Sequence, residues 1–240
     1  MPVKMIELKD NGLKENLQQT IASKASLFRG IGKLKNYTVK LQHNESVKPV
    51  AEPPRRIPYH LKSRIEEVVS DMINQDVIEE LPPGQQTPWI SNMVIAPKDD
   101  GNIRITLDAK NVNKALLSSN YPIPRPEDIK AQLSGKKIFS KLDLKSAFWQ
   151  LEIAEEARNL TVFHINGKLY RYKRLVMGLK PSQGELNAAL QLLFAHLPEV
   201  HVIHDDIIVA TDDETSHIKV IEKTLCIMLD AGLTLNKEKM

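Results

Sequence analysis

Two adjacent aspartates, Asp205 and Asp206, interrupt a strongly apolar stretch: Val202-Ile203 precedes them and Ile207-Ile208-Val209-Ala210 follows. The flanking runs read as short strands, and so short a connection forces a hairpin. Tight hairpin loops usually carry Asn-Gly or Asp-Gly, which tolerate positive φ. Two like charges at such a turn repel each other unless a cation offsets them. A divalent ion held by hard carboxylate oxygens meets that need, with Mg2+ first and Mn2+ as a substitute. The bland alternative is a solvated acidic turn, which is how the nearby Asp212-Asp213 reads.

A third carboxylate ends another apolar strand, Ile138-Phe139-Ser140-Lys141-Leu142-Asp143-Leu144. Strand ends let carboxylates reach a shared site without full burial. Three carboxylates can hold two Mg2+ ions roughly 4 Å apart and so promote displacement at a phosphoryl group.

The rest of the chain fits a mixed α+β fold. Leu61, Ile65, Val68, Val69, Met72, Ile73 and Val77 recur at helical spacing, so an amphipathic helix is expected from about residue 59, stopped by Pro82-Pro83-Gly84. Met93–Ala96 and Ile103–Leu107 flank Asp100-Gly101 as one hairpin, and Thr161–Ile165 and Lys168–Tyr172 flank Asn166-Gly167 as another. Residues 182–197 and 216–231 read as helices, the second stopped by Gly232. No regular βαβ rhythm is present, which argues against a doubly wound sheet. Residues 1–58, with Pro49, Pro53, Pro54 and Pro58, read as an extended arm after a short helix.

Composition narrows the class. Hydrophobic residues make up 42% and charged residues 26%, as in a folded globular protein. No apolar run reaches the roughly 20 residues of a membrane span. The opening residues lack the apolar core of a secretory signal, so an intracellular location and no membrane partner are expected. The single cysteine, Cys226, excludes an internal disulfide framework, and its place beside Leu225 and Ile227 reads as a buried thiol. The net charge of +3 conceals an asymmetry. Residues 168–180 hold five Lys or Arg and no acid, whereas residues 199–240 hold nine acids against four bases. A basic stretch facing a polyanion beside an acidic cation site is one reading, and two solvated faces are the other.

The segment Phe139-Ser-Lys-Leu-Asp143-Leu-Lys-Ser-Ala-Phe148-Trp-Gln150 resembles the first catalytic motif of reverse transcriptases from Gypsy-type LTR retrotransposons and retroviruses. Other similar segments follow in the family's order. They include Pro88-Trp89-Ile90-Ser91, Val94–Lys98, Asp100–Arg104, Leu107–Asn113, Tyr121–Pro124, Tyr172–Leu175 with Met177-Gly178-Leu179, and Gly232–Asn236 with Lys239. The similarity runs from about Leu27 to the end of the chain.

The resemblance implies a right-hand polymerase: fingers at about 59–120, palm at about 121–240, and an interleaved fingers segment at about 150–175. Thumb and RNase H are expected to be absent, along with the connection region. It implies RNA-directed DNA polymerisation, with deoxynucleoside triphosphates added to a primer on an RNA or DNA template. Carried over, Asp143, Asp205 and Asp206 bind two Mg2+ ions, with the Leu144 carbonyl as an extra ligand. Arg104, with Lys98 as a second cation, would clamp the triphosphate. The backbone N–H groups of Ser146 and Ala147 would meet it, and Phe148 would lie under the sugar. Met177, Gly178 and Lys180 would approach template or primer. A cytoplasmic or virus-like-particle setting follows, as does a parent polyprotein with protease, RNase H and integrase.

The chain departs from the family in two places. The usual Tyr-x-Asp-Asp reads Ile203-His204-Asp205-Asp206, with His204 as the variable residue. The segment Lys180-Pro181-Ser182-Gln183-Gly184-Glu185 replaces an Ala-Pro-Ala-Thr-Phe-Gln type sequence. An alternative is therefore a catalytically weak or inactive transposon-derived fragment that keeps the fold. Carboxylate-dependent nucleases and integrases scatter their acids over separate elements. RNA-dependent RNA polymerases share the palm logic, but Phe148 favours deoxynucleotides.

Overall fold

The computed structural model describes residues 11–97, 102–119, 121 and 126–237. In chain order the helices are α1 (Asn11–Ser23), α2 (Lys62–Asn74), α3 (Val112–Ala115), α4 (Pro126–Leu133), α5 (Ser182–Phe194) and α6 (Glu214–Ala231). The strands are β1 (Thr38–Val39), β2 (Ile78–Glu80), β3 (Asn92–Pro97), β4 (Ile103–Asp108), β5 (Ile138–Asp143), β6 (Glu152–Ile153), β7 (Phe163–Ile165), β8 (Lys168–Tyr172), β9 (Val200–Ile203) and β10 (Asp206–Thr211). The fold is α+β. Among the described residues the strands form the small sheets β5-β10-β9, β2-β8-β7, β3-β4 and β1-β6, of which only the last is parallel.

The chain divides into two units. One comprises residues 1–37, 120–150 and 184–240; the other comprises 38–119 and 151–183. In the first unit, β10 is the central strand between β5 and β9. Period-two alternation buries Leu142, Val202, Ile207 and Val209 on one face, and α6 packs on β10. Helix α6 buries His217, Ile218, Ile221, Thr224, Leu225 and Met228, the stripe expected of an amphipathic helix. Burying an Ile or Leu side chain contributes about 1.5–3 kcal/mol. Asp213 caps this helix: its side chain accepts from the Ser216 N–H, and Gly232 ends it at φ 80. The Asp212-Asp213 pair is thus a helix start rather than a plain solvated turn. Cys226 lies off the buried stripe and is exposed, which overturns the expectation of a buried thiol.

The second unit holds the two hairpins predicted around Asp100-Gly101 and Asn166-Gly167. Asn166 (φ 48) and Gly167 (φ 81) join β7 to β8 with the two positive φ values of a type I′ turn. Strands β3 and β4 pair in register from Asn92↔Asp108 to Pro97↔Ile103, while their connection at Asp100-Gly101 lies outside the described residues. Helix α2 buries Ile65, Val69 and Met72 but stops at Asn74, before the sequence-predicted end. Asp76 (φ 56) donates its N–H to Ile73 O, and Val77 donates to Met72 O, both at 2.9 Å. This is a Schellman stop with aspartate where glycine is usual. Ile78–Glu80 is then free to become β2.

The stretch of residues 11–58 is mostly irregular after α1, and it buries Leu27, Leu34, Val39 and Leu41. Near its end, Arg55 Nη2 lies 2.6 Å from Asp108 Oδ2, and Arg55 N–H donates to Asn92 Oδ1.

Candidate active site

The register of the first unit sets the carboxylates. Asp143 is the last residue of β5 and Asp206 the first of β10, and they are direct antiparallel partners. Asp206 also pairs with Ile203, so the loop from β9 to β10 is His204-Asp205. His204 takes the positive φ, 57°, a conformation that histidine adopts more readily than branched residues. The hairpin was expected to turn over His204-Asp205-Asp206; Asp206 instead belongs to the strand. The two aspartates are therefore unlike: Asp205 is exposed on the turn, and Asp206 is half-buried in the sheet. His204 is also exposed, and its carbonyl accepts from Asn187 Nδ2 at 3.4 Å.

Asp143 is 8% exposed. Its carbonyl accepts from the Asn236 N–H at 2.9 Å, and Asn236 Nδ2 lies 3.4 Å from its Oδ2. Direct and alternate positions put Lys141, Asp143 and Asp206 on one face. There Lys141 Nζ lies 2.5 Å from Asp206 Oδ2. Hard oxygen donors suit a divalent ion, and the Lys141 ammonium already occupies Asp206 as a cation would. Among the described residues no three His, Cys, Asp or Glu side chains stand together as a ready metal cage. The donor set fits a divalent ion in kind, with Lys141 paired to one of the two Asp206 oxygens.

The next turn is anchored on residues 234–236. Leu144 bridges Leu235, and the Lys145 N–H donates to Thr234 O at 3.1 Å. Ser146 is exposed at φ 50, and its carbonyl accepts from the Trp149 N–H at 2.8 Å. Ala147 is buried and Phe148 half-buried in the short 3₁₀ turn Ala147–Gln150. Gln150, read from the sequence only as part of a motif, is fully buried and bonds to Lys145 and Thr234. Its residue type gave no sign of those partners, because Thr234 is far along the chain.

Arg104, Met177, Gly178 and Lys180 belong to the second unit. Arg104 is exposed on β4, on the same face as Thr106. Thr106 Oγ1 donates to Met177 O at 3.2 Å. Asn113 Nδ2 donates to Gly178 O at 2.8 Å, and the Lys180 N–H donates to Asn113 Oδ1 at 2.7 Å. The loop of Met177, Gly178 and Lys180 is thus held by Thr106 of β4 and Asn113 of α3. Lys98 lies outside the described residues.

The basic run from Lys168 is not an open cationic surface. Pairing of β2 with β8 sets Glu79 opposite Arg171 and Glu80 opposite Tyr170. Lys168 pairs with Glu80 at 3.0 Å, Arg171 with Glu79 at 2.6 Å, and Arg171 also with Glu155. Lys173 pairs with Asp76, and Arg174 with Asp76 at 3.5 Å. Burial alone would raise the Asp76 pKa, but the hydrogen bond and charge of Lys173 and the charge of Arg174 hold it below the usual carboxylate value. A template-facing role for residues 168–174 is thereby weakened by acids far away in the sequence. Lys136 likewise pairs with Asp212, at 2.9 Å.

The family model described as reverse transcriptase (RNA-dependent DNA polymerase) matches residues 96–240. The Drosophila melanogaster retrovirus-related Pol polyprotein from transposon gypsy is 30% identical over 183 residues, 71% of this chain and 18% of that protein. The Pro-Pol polyprotein of Simian foamy virus type 1 is 30% identical over 200 residues, 82% of this chain and 17% of that protein. This chain therefore spans under a fifth of the length of either. Among solved structures, the prototype foamy virus protease-reverse transcriptase superposes with TM-score 0.86 at 26% identity, covering 95% of this chain and 31% of that one. A foamy viral protease-reverse transcriptase in complex with an RNA/DNA hybrid gives TM-score 0.85 at 25% identity, covering 95% and 31%. No helix among the described residues is long and apolar enough to cross a membrane. The matched span takes in Asp143, Asp205 and Asp206 with the strands that carry them, and on that match the chain belongs to the reverse transcriptase (RNA-dependent DNA polymerase) family.

Proposed function

We propose that this chain performs RNA-directed DNA polymerisation, adding deoxynucleotides to a primer 3′-hydroxyl. The observation that carries the reading is the register pair Asp143–Asp206 with Asp205 on the adjoining turn. Fingers are assigned to about 59–120 and about 150–175, and the palm to the rest of about 121–240. The chain's division near residues 119 and 150 supports that assignment.

Asp143, Asp205 and Asp206, with the Leu144 carbonyl, would hold divalent cations, Mg2+ or Mn2+ in its place. Two such ions, when bound, activate the attacking hydroxyl and offset charge on the leaving oxygen. The chain's own residues do the rest. Ser146 and Ala147 present backbone N–H groups to the triphosphate. Arg104, and Lys98 as a second cation, meet its phosphates; the planar guanidinium suits bidentate contact. Phe148 stands where a 2′-hydroxyl would be crowded, which selects deoxynucleotides. Met177, Gly178 and Lys180 line the approach of template and primer. A primer–template duplex is the proposed partner, in keeping with a foamy viral relative solved with an RNA/DNA hybrid.

The test is primer extension on RNA and DNA templates with Mg2+. Incorporation that a chelator stops and Mg2+ restores supports the reading. Absence of incorporation, or incorporation indifferent to chelation, refutes it.

A further inference from the structure

The buried amide of Gln150 is anchored on every side. Its Nε2 donates to the carbonyls of Lys145 (2.7 Å) and Thr234 (2.8 Å), and its Oε1 accepts from the Thr234 N–H (2.8 Å). Both N–H donors of the carboxamide are thereby used. The Gln150 carbonyl accepts from the Leu34 N–H at 2.8 Å. Gly32 closes the site: its N–H donates to Thr234 Oγ1 at 2.9 Å, and a Cβ there would fall 2.5 Å from Gln150 Oε1.

The carbonyl that Gln150 holds belongs to the same planar peptide as the Ser146 N–H. In a trans peptide those two bonds point opposite ways. Fixing the Lys145 oxygen against a buried amide therefore aims the Ser146 N–H away from it. Ser146 also sits at φ 50, a left-handed backbone that a non-glycine residue adopts only when its surroundings hold it there.

We infer that Gln150 is a positioning residue for the incoming nucleotide: its carboxamide locks the Lys145–Ser146 peptide so that the Ser146 N–H faces the triphosphate. The inference rests on the polymerase reading. The backbone N–H and carbonyl of Thr234 take part in this lock, whereas its hydroxyl serves only Gly32.

The experiment compares Gln150→Met, which keeps the shape and loses the hydrogen bonds, with Thr234→Val, which leaves the Lys145 contact in place. Incorporation kinetics, primer–template affinity and amide hydrogen exchange are measured. Gln150→Met is expected to raise KM for deoxynucleotide about tenfold, the scale of a lost hydrogen bond to an oriented group. Primer–template affinity should stay within about twofold, and exchange across residues 145–150 should quicken. Thr234→Val should lower stability and leave KM unchanged. Should Gln150→Met fail to fold, Gln150→Glu, which keeps only the acceptor for Thr234, is read by the same criteria. An unchanged KM or unchanged exchange overturns the inference while polymerisation by the unsubstituted chain stands. If that chain shows no Mg2+-dependent incorporation, the polymerase reading falls and the inference falls with it.

Discussion

Lys141 and Asp206 form an ion pair at 2.5 Å between neighbouring strands, on the face that carries Asp143. With side chains 39% and 28% exposed, the pair is worth no more than about 1 kcal/mol. It nevertheless places a cation on one of the proposed metal ligands. Lys141→Met is therefore expected to bind Mn2+ several-fold more tightly, read by titration of the nucleic-acid-free protein. Equal or weaker binding would show that Lys141 does not compete for Asp206.

Acid should destabilise this fold through His217. The ring is buried between Ser140 Oγ and Thr211 Oγ1, each at 2.8 Å, and burial pushes its pKa down to about 4. The unfolded chain takes up a proton near pH 6.5, which the fold refuses until about pH 4. Stability is thus full above pH 6.5 and lost as pH falls toward 4, by on the order of 2–3 kcal/mol. Urea unfolding at neutral pH and at about pH 5 should show that slope, and His217→Gln should flatten it.

Two nearby glycines should respond differently to alanine. Gly32 has no room: its Cβ would meet Gln150 Oε1, Gly232 O and Thr234 N at 2.5–2.8 Å. Gly30 has open space and φ +67. Gly32→Ala should cost about 1–3 kcal/mol or more from overpacking, and Gly30→Ala about 1–2 kcal/mol from backbone strain alone. Denaturant midpoints check both.

Cations of the second unit should separate by their partners. Arg104 is exposed on β4, whereas Lys168 and Lys173 are tied to Glu80 and Asp76. Arg104→Ala is expected to raise KM for deoxynucleotide at least tenfold, as loss of a charge-assisted phosphate contact would. Lys168→Ala should leave KM and primer–template affinity within about twofold of the parent chain. Equal effects of the two substitutions would contradict the assignment of Arg104.

What the sequence made legible was local. Asn166-Gly167 announces its own turn, alternation before Asp143 announces one strand, and the apolar run Ile207–Ala210 announces another. Hydrophobic spacing found α2, and Gly232 marked the end of α6. Less local features were hidden. The end of α2 depends on Asp76 adopting a left-handed backbone, which residue type alone does not signal. The register that places Asp206 in a strand and Asp205 on the turn is set by pairing with β5 and β9. The neutralisation of Arg171 and Lys173 needs β2 beside β8, and the exposure of Cys226 depends on which stripe of α6 meets β10. The carboxamide of Gln150 that holds Lys145 is itself held by the backbone of Thr234, more than 80 residues further along the chain.

The most direct test is Mg2+-dependent primer extension by the chain carrying both Asp205→Asn and Asp206→Asn, beside the unsubstituted chain and with thermal melts of each. The expected result is extension by the unsubstituted chain, background-level extension by the doubly substituted chain, and closely similar melts. Extension that survives both substitutions, at a rate near that of the parent, would contradict the assignment of this aspartate hairpin as the polymerase centre.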